Sequence, residues 1–324
     1  MTRDEETATL QILARHSKSF SLAGKLLPRW CRRDAAALYA WCRRCDDAVD
    51  VPEDAAARAA AVTRLRLELG AVYAGDAQDE PVLAAMQDVV TRHGIPRRYC
   101  DDLIEGMAMD VGLVRYETMD ELLLYCYRAA GTVGLMMAHV MGVRDAGTLR
   151  RAADLGLAMQ LTNICRDVAE DELRGRVYLP AALWGGDGAV TAAPERAAAA
   201  VAEVLRRADA LYGSGDAGLG RLPLRCAVAI RAAGLIYREI GAVIARRGFD
   251  VRAGRAVVSR TRKLWLIARA VGGTVARAAW RGLWPAKGGG AVNSPALVPL
   301  PFDLPLAGAA GPDHVAARAL GAAP

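Results

Sequence analysis

Apolar residues recur at spacings of three and four along most of the chain, the signature of helices that bury one face. Seven segments carry it: "DAAALYAWCRRCDDAVD" (34–50), "AAARAAAVTRLRLELGAVYA" (55–74), "PVLAAMQDVVTRHG" (81–94), "MDELLLYCYRAAGTVGLMMAHVMGV" (119–143), "LRRAADLGLAMQLTNICRDVAEDELRG" (149–175), "PERAAAAVAEVLRRADALYG" (194–213) and "LRCAVAIRAAGLIYREIGAVIARRG" (224–248). Several end where a helix should, at Gly94 ahead of Pro96 and at Gly248. No alternating segments with hairpin turns stand out. The pattern predicts an all-α chain, a single large helical bundle packed around one core. From Pro285 the period is lost in a Pro-, Gly- and Ala-rich run, so residues 1–284 are expected to form the domain and 285–324 a disordered tail.

Two helices carry polar stripes beside their apolar ones. At about 100° per residue, Gln160, Asn163, Asp167 and Asp171 align next to Leu157, Leu161, Ile164 and Val168. Likewise Tyr39, Arg43, Asp46 and Asp50 align next to Leu38, Cys42, Cys45 and Val49. Carboxylates facing one another inside a bundle repel and resist desolvation. A divalent cation resolves that conflict, and carboxylate and amide oxygens without His or Cys suit Mg²⁺ sharing its shell with substrate phosphates. The alternative is a pair of solvated acidic faces, which two such motifs on one all-α chain make the weaker account. Glu170 and Glu172 fall off the stripe and are expected to face solvent. Magnesium on a diphosphate turns it into a leaving group, and an apolar cavity would keep the resulting allylic cation from water.

Composition adds bounds. With 324 residues, 53% of them hydrophobic, the chain can bury a large core. The net charge of +6 is almost all arginine, a modest cationic surface suited to anionic substrates or lipid head groups. No basic block with interleaved aromatics is present, which argues against nucleic acid. Seven cysteines, an odd number, and no leader at "MTRDEETATL" predict a reducing, cytoplasmic setting. "CRRC" (Cys42, Cys45) has metal-pair spacing but no second pair, and is expected to be small core residues on a helix. The longest apolar run, 129–143, is shorter than the ~20 residues of a spanning helix and predicts a buried one. The last helix, "LIARAVGGTVARAAWRGLWP", with Trp280 and Trp284, suits peripheral contact with an inner membrane face.

"HSKSFSLAGKLLP", "CDDAVD", "YCYRAAGTVG" and "QLTNICRDVAEDELRGRVYLP" together resemble the squalene and phytoene synthase family of head-to-head isoprenyl diphosphate synthases, over about residues 10 to 270. "RGRVYLP" and the stretch from "IYREIG" to "TRKLW" are most similar to its bacterial phytoene-forming members. The resemblance implies an isoprenoid-synthase bundle with a central cavity. It implies condensation of two geranylgeranyl diphosphates through prephytoene diphosphate to phytoene, with Mg²⁺, or Mn²⁺ in its place, and no NADPH. By motif it assigns the metal to Asp46, Asp50, Asn163, Asp167 and Asp171. Arg43 and Arg166 would grip diphosphate; His16, Ser17, Lys18, Ser19, Tyr39, Gln160 and Tyr237 would bind substrate; Tyr127 would border the reacting carbons. Arg260, Arg262 and Lys263 are either a diphosphate clamp or a solvated basic face. Prenyl diphosphates and other carotenoid-pathway enzymes are the implied partners. A farnesyl-using squalene or dehydrosqualene synthase, a class I terpene cyclase and a non-catalytic assembly factor of this fold are the alternatives.

Overall fold

The computed structural model describes residues 2–16, 18–51, 54–112, 114–283 and 297–306; the side chains of residues 3, 4, 16–20 and 281–283 are outside that description. Among the described residues the chain forms helices at Arg3–His16 (α1), Lys18–Gly24 (α2), Arg29–Asp50 (α3), Ala55–Ala74 (α4), Pro81–His93 (α5), Arg97–Ala108 (α6), Met119–Cys126 (α7), Thr132–Val140 (α8), Ala146–Leu173 (α9), Ala181–Trp184 (α10), Pro194–Gly218 (α11), Leu224–Arg246 (α12) and Arg260–Leu283 (α13). The all-α expectation holds. The one addition is a parallel pair of two-residue strands, Val114–Arg115 (β1) and Arg176–Val177 (β2).

Local chemistry sets the boundaries. Asp54, Glu80 and Asp145 accept from the first-turn amides of α4, α5 and α9, and Thr118 forms a reciprocal capping box with Glu121 at α7. Gly94 ends α5 in the left-handed region at φ 56°, as its place before Pro96 predicts. The expected helix over 119–143 is interrupted: Tyr127–Gly131 makes one wide turn, and the Thr132 amide reaches back five residues to Tyr127. That turn meets α9 at glycines. A Cβ on Gly156 would lie 2.3 Å from the Ala130 carbonyl oxygen, and one on Gly134 would lie 2.3 Å from that of Ala152. The glycines of "AAGTVG" and "DLGL" therefore let two backbones touch, which holds α9 against the wide turn and α8.

All seven cysteines are buried and free, Cys42 and Cys45 among them, so "CRRC" is core filler. The tail expectation fails for residues 297–306. Val298, Leu300, Phe302, Leu304 and Leu306 pack on the core at every second position of an extended strap. Arg150 and Arg207 donate to the Val298 and Pro299 carbonyls, and the Phe302 ring lies 5.4 Å from that of Tyr127. Residues 284–296 and 307–324, and Trp284 with them, lie outside the described residues.

Asp34 clasps α3 to α5. It is buried, Arg92 Nη1 donates to its two oxygens at 2.9 and 3.0 Å, and His93 Nε2 lies 2.7 Å from Oδ2. Burial pushes its carboxyl up, but the His93 and Arg92 hydrogen bonds outweigh that and hold it below the usual range. A depressed folded value means the stabilisation is present above the unfolded carboxylate range and is lost as pH falls through the folded one. Asp34→Ala leaves the exposed Arg92 guanidinium and His93 without that partner and is expected to cost about 1–3 kcal/mol, read as a lower urea midpoint at pH 7 with the difference shrinking toward pH 3.

Candidate active site

A cavity of about 310 Å³ runs between α3, α8, α9 and α12. Most of its wall is apolar, supplied by Leu38, Val133, Met137, Leu155, Met159 and Ile230 among others. At the end where the two acidic motifs lie it is lined by Tyr39 and Asp46 from α3, Gln160 and Asn163 from α9, and Tyr237 from α12, and at the other end by Arg32, Thr148 and Arg151. Part of each stripe, Tyr39 and Asp46 on α3 and Gln160 and Asn163 on α9, thus faces one space, while Arg43, Asp50, Asp167 and Asp171 are not in its lining.

The amide is the informative group. Asn163 Nδ2 donates to Gln160 Oε1 at 3.3 Å, whereas Asn163 Oδ1 is buried without a hydrogen-bond partner. Leaving an acceptor in that state costs roughly 1–3 kcal/mol, so such an oxygen signals a missing ligand. Asp46 is pushed up to about 7, by burial first, with Arg43 opposing and Asp50, Asp47 and Asp110 adding to the rise. Asp171 is pushed up to about 7 by burial and then by Asp167. Cations already sit on the other two carboxylates. Arg176 Nη1 donates to Asp50 at 2.7 Å, Arg166 Nε donates to Asp167 at 2.8 Å, and Arg255 Nε lies 3.2 Å from Asp167. The motifs therefore lack positive charge at Asp46 and Asp171 and borrow it at Asp50 and Asp167. All-oxygen donors, an orphaned amide oxygen and protonation-prone acids fit a hard divalent cation. Among the described residues no three His, Cys, Asp or Glu side chains form a preassembled metal cage.

Other expectations change in detail. Arg43 is paired with Asp47 on the next turn. Tyr127 does not border the cavity: its ring packs on Phe302 and its hydroxyl donates to Asp102 at 2.7 Å, because the wide turn swings it toward α6 and the strap. Glu172 does not face solvent. It accepts from the Val190 and Thr191 amides and from the Thr191 hydroxyl, pinning the loop after α10 to the end of α9. Glu170 is exposed, with Arg255 at 3.7 Å. His16, Lys18 and Ser19 lie on α1 and α2 with undescribed side chains, and Ser17 lies outside the described residues. Arg262 pairs with Glu239 and stacks over Trp265 at 4.4 Å.

Asp110 was not legible as a site residue. It is buried, Tyr125 and Tyr178 donate to it at 2.9 and 2.8 Å, and the two rings stack at 5.0 Å. Burial pushes it up to about 6, with those hydroxyls and Arg176 opposing. Its charge adds to the rise at both Asp46 and Asp171. Arg176 reaches Asp50 because β1 pairs with β2 in the register Val114 to Arg176. "RGRVYLP" is thus a positioning segment for the first acidic motif, a link made by tertiary pairing alone.

A helical bundle with two acidic motifs at one end of an apolar cavity defines the class, and comparison agrees: the Squalene/phytoene synthase family model matches residues 13–262. The chain belongs to that family. It is 44% identical over 279 residues to a phytoene synthase of Pseudescherichia vulneris, covering 81% of this chain and 89% of that one. It is 42% identical over 284 residues to a 15-cis-phytoene synthase of Pantoea ananas, covering 81% and 90%. Among solved structures, a dehydrosqualene synthase superposes with a TM-score of 0.78 at 29% identity, covering 85% of this chain and 98% of that chain.

Proposed function

We propose that this protein is a prenyltransferase that joins two geranylgeranyl diphosphates head to head into phytoene. The first ionises, the double bond of the second attacks its C1 and loss of a proton closes the cyclopropane ring of prephytoene diphosphate; a second ionisation, rearrangement and a second proton loss follow. One diphosphate leaves at each stage, and no hydride donor is needed. The observation that carries the reading is the unpartnered Asn163 Oδ1, which with Asp46 lines the polar end of an apolar cavity. The names of the relatives support the substrate.

Asp46, Asp50, Asn163, Asp167 and Asp171 would hold Mg²⁺, with Mn²⁺ as substitute. Bound there, the metal supplies Lewis-acid neutralisation of the departing diphosphate. Arg166 forks onto Asp167 and has a planar donor face suited to diphosphate oxygens. Burial pushes Tyr39 up to about 12, so its phenol stays a hydrogen-bond donor at neutral pH. Gln160 and Tyr237 complete the polar end, and the walls below exclude water from the allylic cation. No helix among the described residues is long and apolar enough to cross a membrane. A cytoplasmic enzyme resting on the inner membrane face, near other carotenoid-pathway enzymes, is the setting this chemistry favours.

Incubation with geranylgeranyl diphosphate and Mg²⁺ is expected to yield phytoene without NADPH, and EDTA to stop it. Product formed only from farnesyl diphosphate would move the chain to the squalene or dehydrosqualene branch. A cyclic product from one diphosphate would make it a terpene cyclase, and no turnover would favour an assembly factor.

A further inference from the structure

The cavity has a second end. Along α3 its lining runs from Asp46 back to Arg32, fourteen residues or about 21 Å of helix. Along α9 it runs from Asn163 back to Thr148, about 22 Å. There the wall is Arg32, Thr148, Arg151, Leu219 and Leu222, and Arg32, Arg151 and Leu222 are only half-buried. The apolar space therefore reaches the surface at the end of the bundle opposite the acidic motifs.

What surrounds that end is unusual for a water-facing surface. Trp30, on the first turn of α3, is 47% exposed, and Leu224, first residue of α12, is 48% exposed. Trp280 joins them through the register of α12 and α13. Arg262 pairs with Glu239, and a Cβ on Gly273 would lie 3.5 Å from the Arg231 guanidinium carbon, so the two helices run antiparallel. Seven residues beyond Gly273 is Trp280, 65% exposed, and seven before Arg231 is Leu224. Lys25, Arg29, Arg221, Arg225 and Arg277 are exposed on the same segments. Residues 18–33, 219–231 and 251–283 contain no Asp or Glu. Of the acidic groups on the neighbouring turns, Asp34 is buried and held by Arg92 and His93, Asp145 caps α9 with its side chain, and Asp216 lies near Arg231.

We infer that this end docks on an anionic lipid bilayer and that the far end of the cavity is the door through which the hydrocarbon product enters it. The inference rests on the proposed phytoene product. A hydrocarbon has no favourable way out past the carboxylates and arginines of the acidic end, whereas the far end opens among side chains that suit a membrane interface. Exposed tryptophans favour the headgroup level, and exposed Lys and Arg favour an anionic leaflet. Arg32 and Leu222 close the door and need only swing aside.

The test is co-sedimentation of the full chain with phosphatidylglycerol vesicles and with phosphatidylcholine vesicles, for wild type, Trp30→Ser/Leu224→Ser and Arg29→Glu/Arg225→Glu. Wild type is expected to pellet with the anionic vesicles only, and each double variant to bind about tenfold more weakly. A Leu264→Ser/Val271→Ser control, on the outer face of α13, should pellet like wild type. In detergent the double variants should turn over geranylgeranyl diphosphate at the wild-type rate; with vesicles and no detergent they should stall after an initial burst while wild type continues. Unchanged pelleting of both double variants, or binding lost only in the α13 control, overturns the docking face. Weakened binding without the stall overturns the door. Vesicle binding needs no turnover, so an inactive wild type that still pellets through these residues would sink the proposed reaction and leave the docking face standing.

Discussion

Asp46→Asn is expected to lower kcat/KM for prenyl diphosphate by about a thousandfold or more, the scale on which loss of one preorganised electrostatic group acts, and to make the metal-free protein more heat-stable. The two effects have one cause. Asp46 is pushed up to about 7, mainly by burial, in a mouth that already holds Asp50, Asp47 and Asp110. A carboxyl whose folded value lies above its unfolded one binds more protons in the folded state, so stability falls as pH rises from about 4 to about 7 and stays low above that. After allowance for the solvent at the mouth, the cost at pH 8 is about 1–2 kcal/mol. Asparagine keeps the shape without the charge and removes that cost.

Three melting series check the account. In EDTA, wild type should melt lower at pH 8 than at pH 5.5, and Asp46→Asn should show a flatter profile and a higher melting temperature at pH 8. Mg²⁺ with inorganic diphosphate should raise the wild-type melting temperature at pH 8 and do little at pH 5.5, where protons hold the same oxygens. The variant should gain little at either pH. A variant that lost activity and melted lower than wild type at pH 8 would mean that Asp46 is a structural residue rather than a strained ligand.

Helical spacing made the polar end of the cavity legible, because a stripe is local: Asp46 and Asn163 could be placed beside apolar faces from 3.6-residue geometry alone. What joins two stripes was not local. Asp110 reaches the site through the hydroxyls of Tyr125 and Tyr178, and Arg176 finds Asp50 where β1 and β2 pair. Some of the remainder is local as well. Tyr99, Cys100, Leu103, Ile104 and Met107 carry the same three-four spacing on α6 and are buried as it implies. "VPLPFDLPL" alternates apolar and other residues from 298 to 306, a period of two that composition masked as a Pro-rich tail. Tyr127 illustrates the opposite limit. Its motif placed it near the reacting carbons, and a single wide turn, set by the close approach of Gly131 and Gly156, points it elsewhere.

Ala35→Phe is expected to invert the preference between geranylgeranyl and farnesyl diphosphate. Ala35 lines the cavity on α3, eleven residues and so about 16 Å of helix from Asp46 at the polar end. An extended isoprene unit of four carbon–carbon bonds spans about 5 Å at bond lengths near that of the Cα–C bond, so the lining of about 21 Å along α3 matches four units. A phenyl ring at Ala35 crosses the cavity where a fourth unit would lie and leaves the space nearer Asp46 open. The expected result is a fall of about a hundredfold in kcat/KM with the longer substrate, on the order of the 1–3 kcal/mol that overpacking a filled site costs, and a change of no more than severalfold with the shorter one. Ala35 packs against the core, so the variant's melting temperature must be measured beside its kinetics. A uniform loss with both substrates would report damage to the bundle, and unchanged kinetics with both would show that the prenyl tail does not run down this side of the cavity.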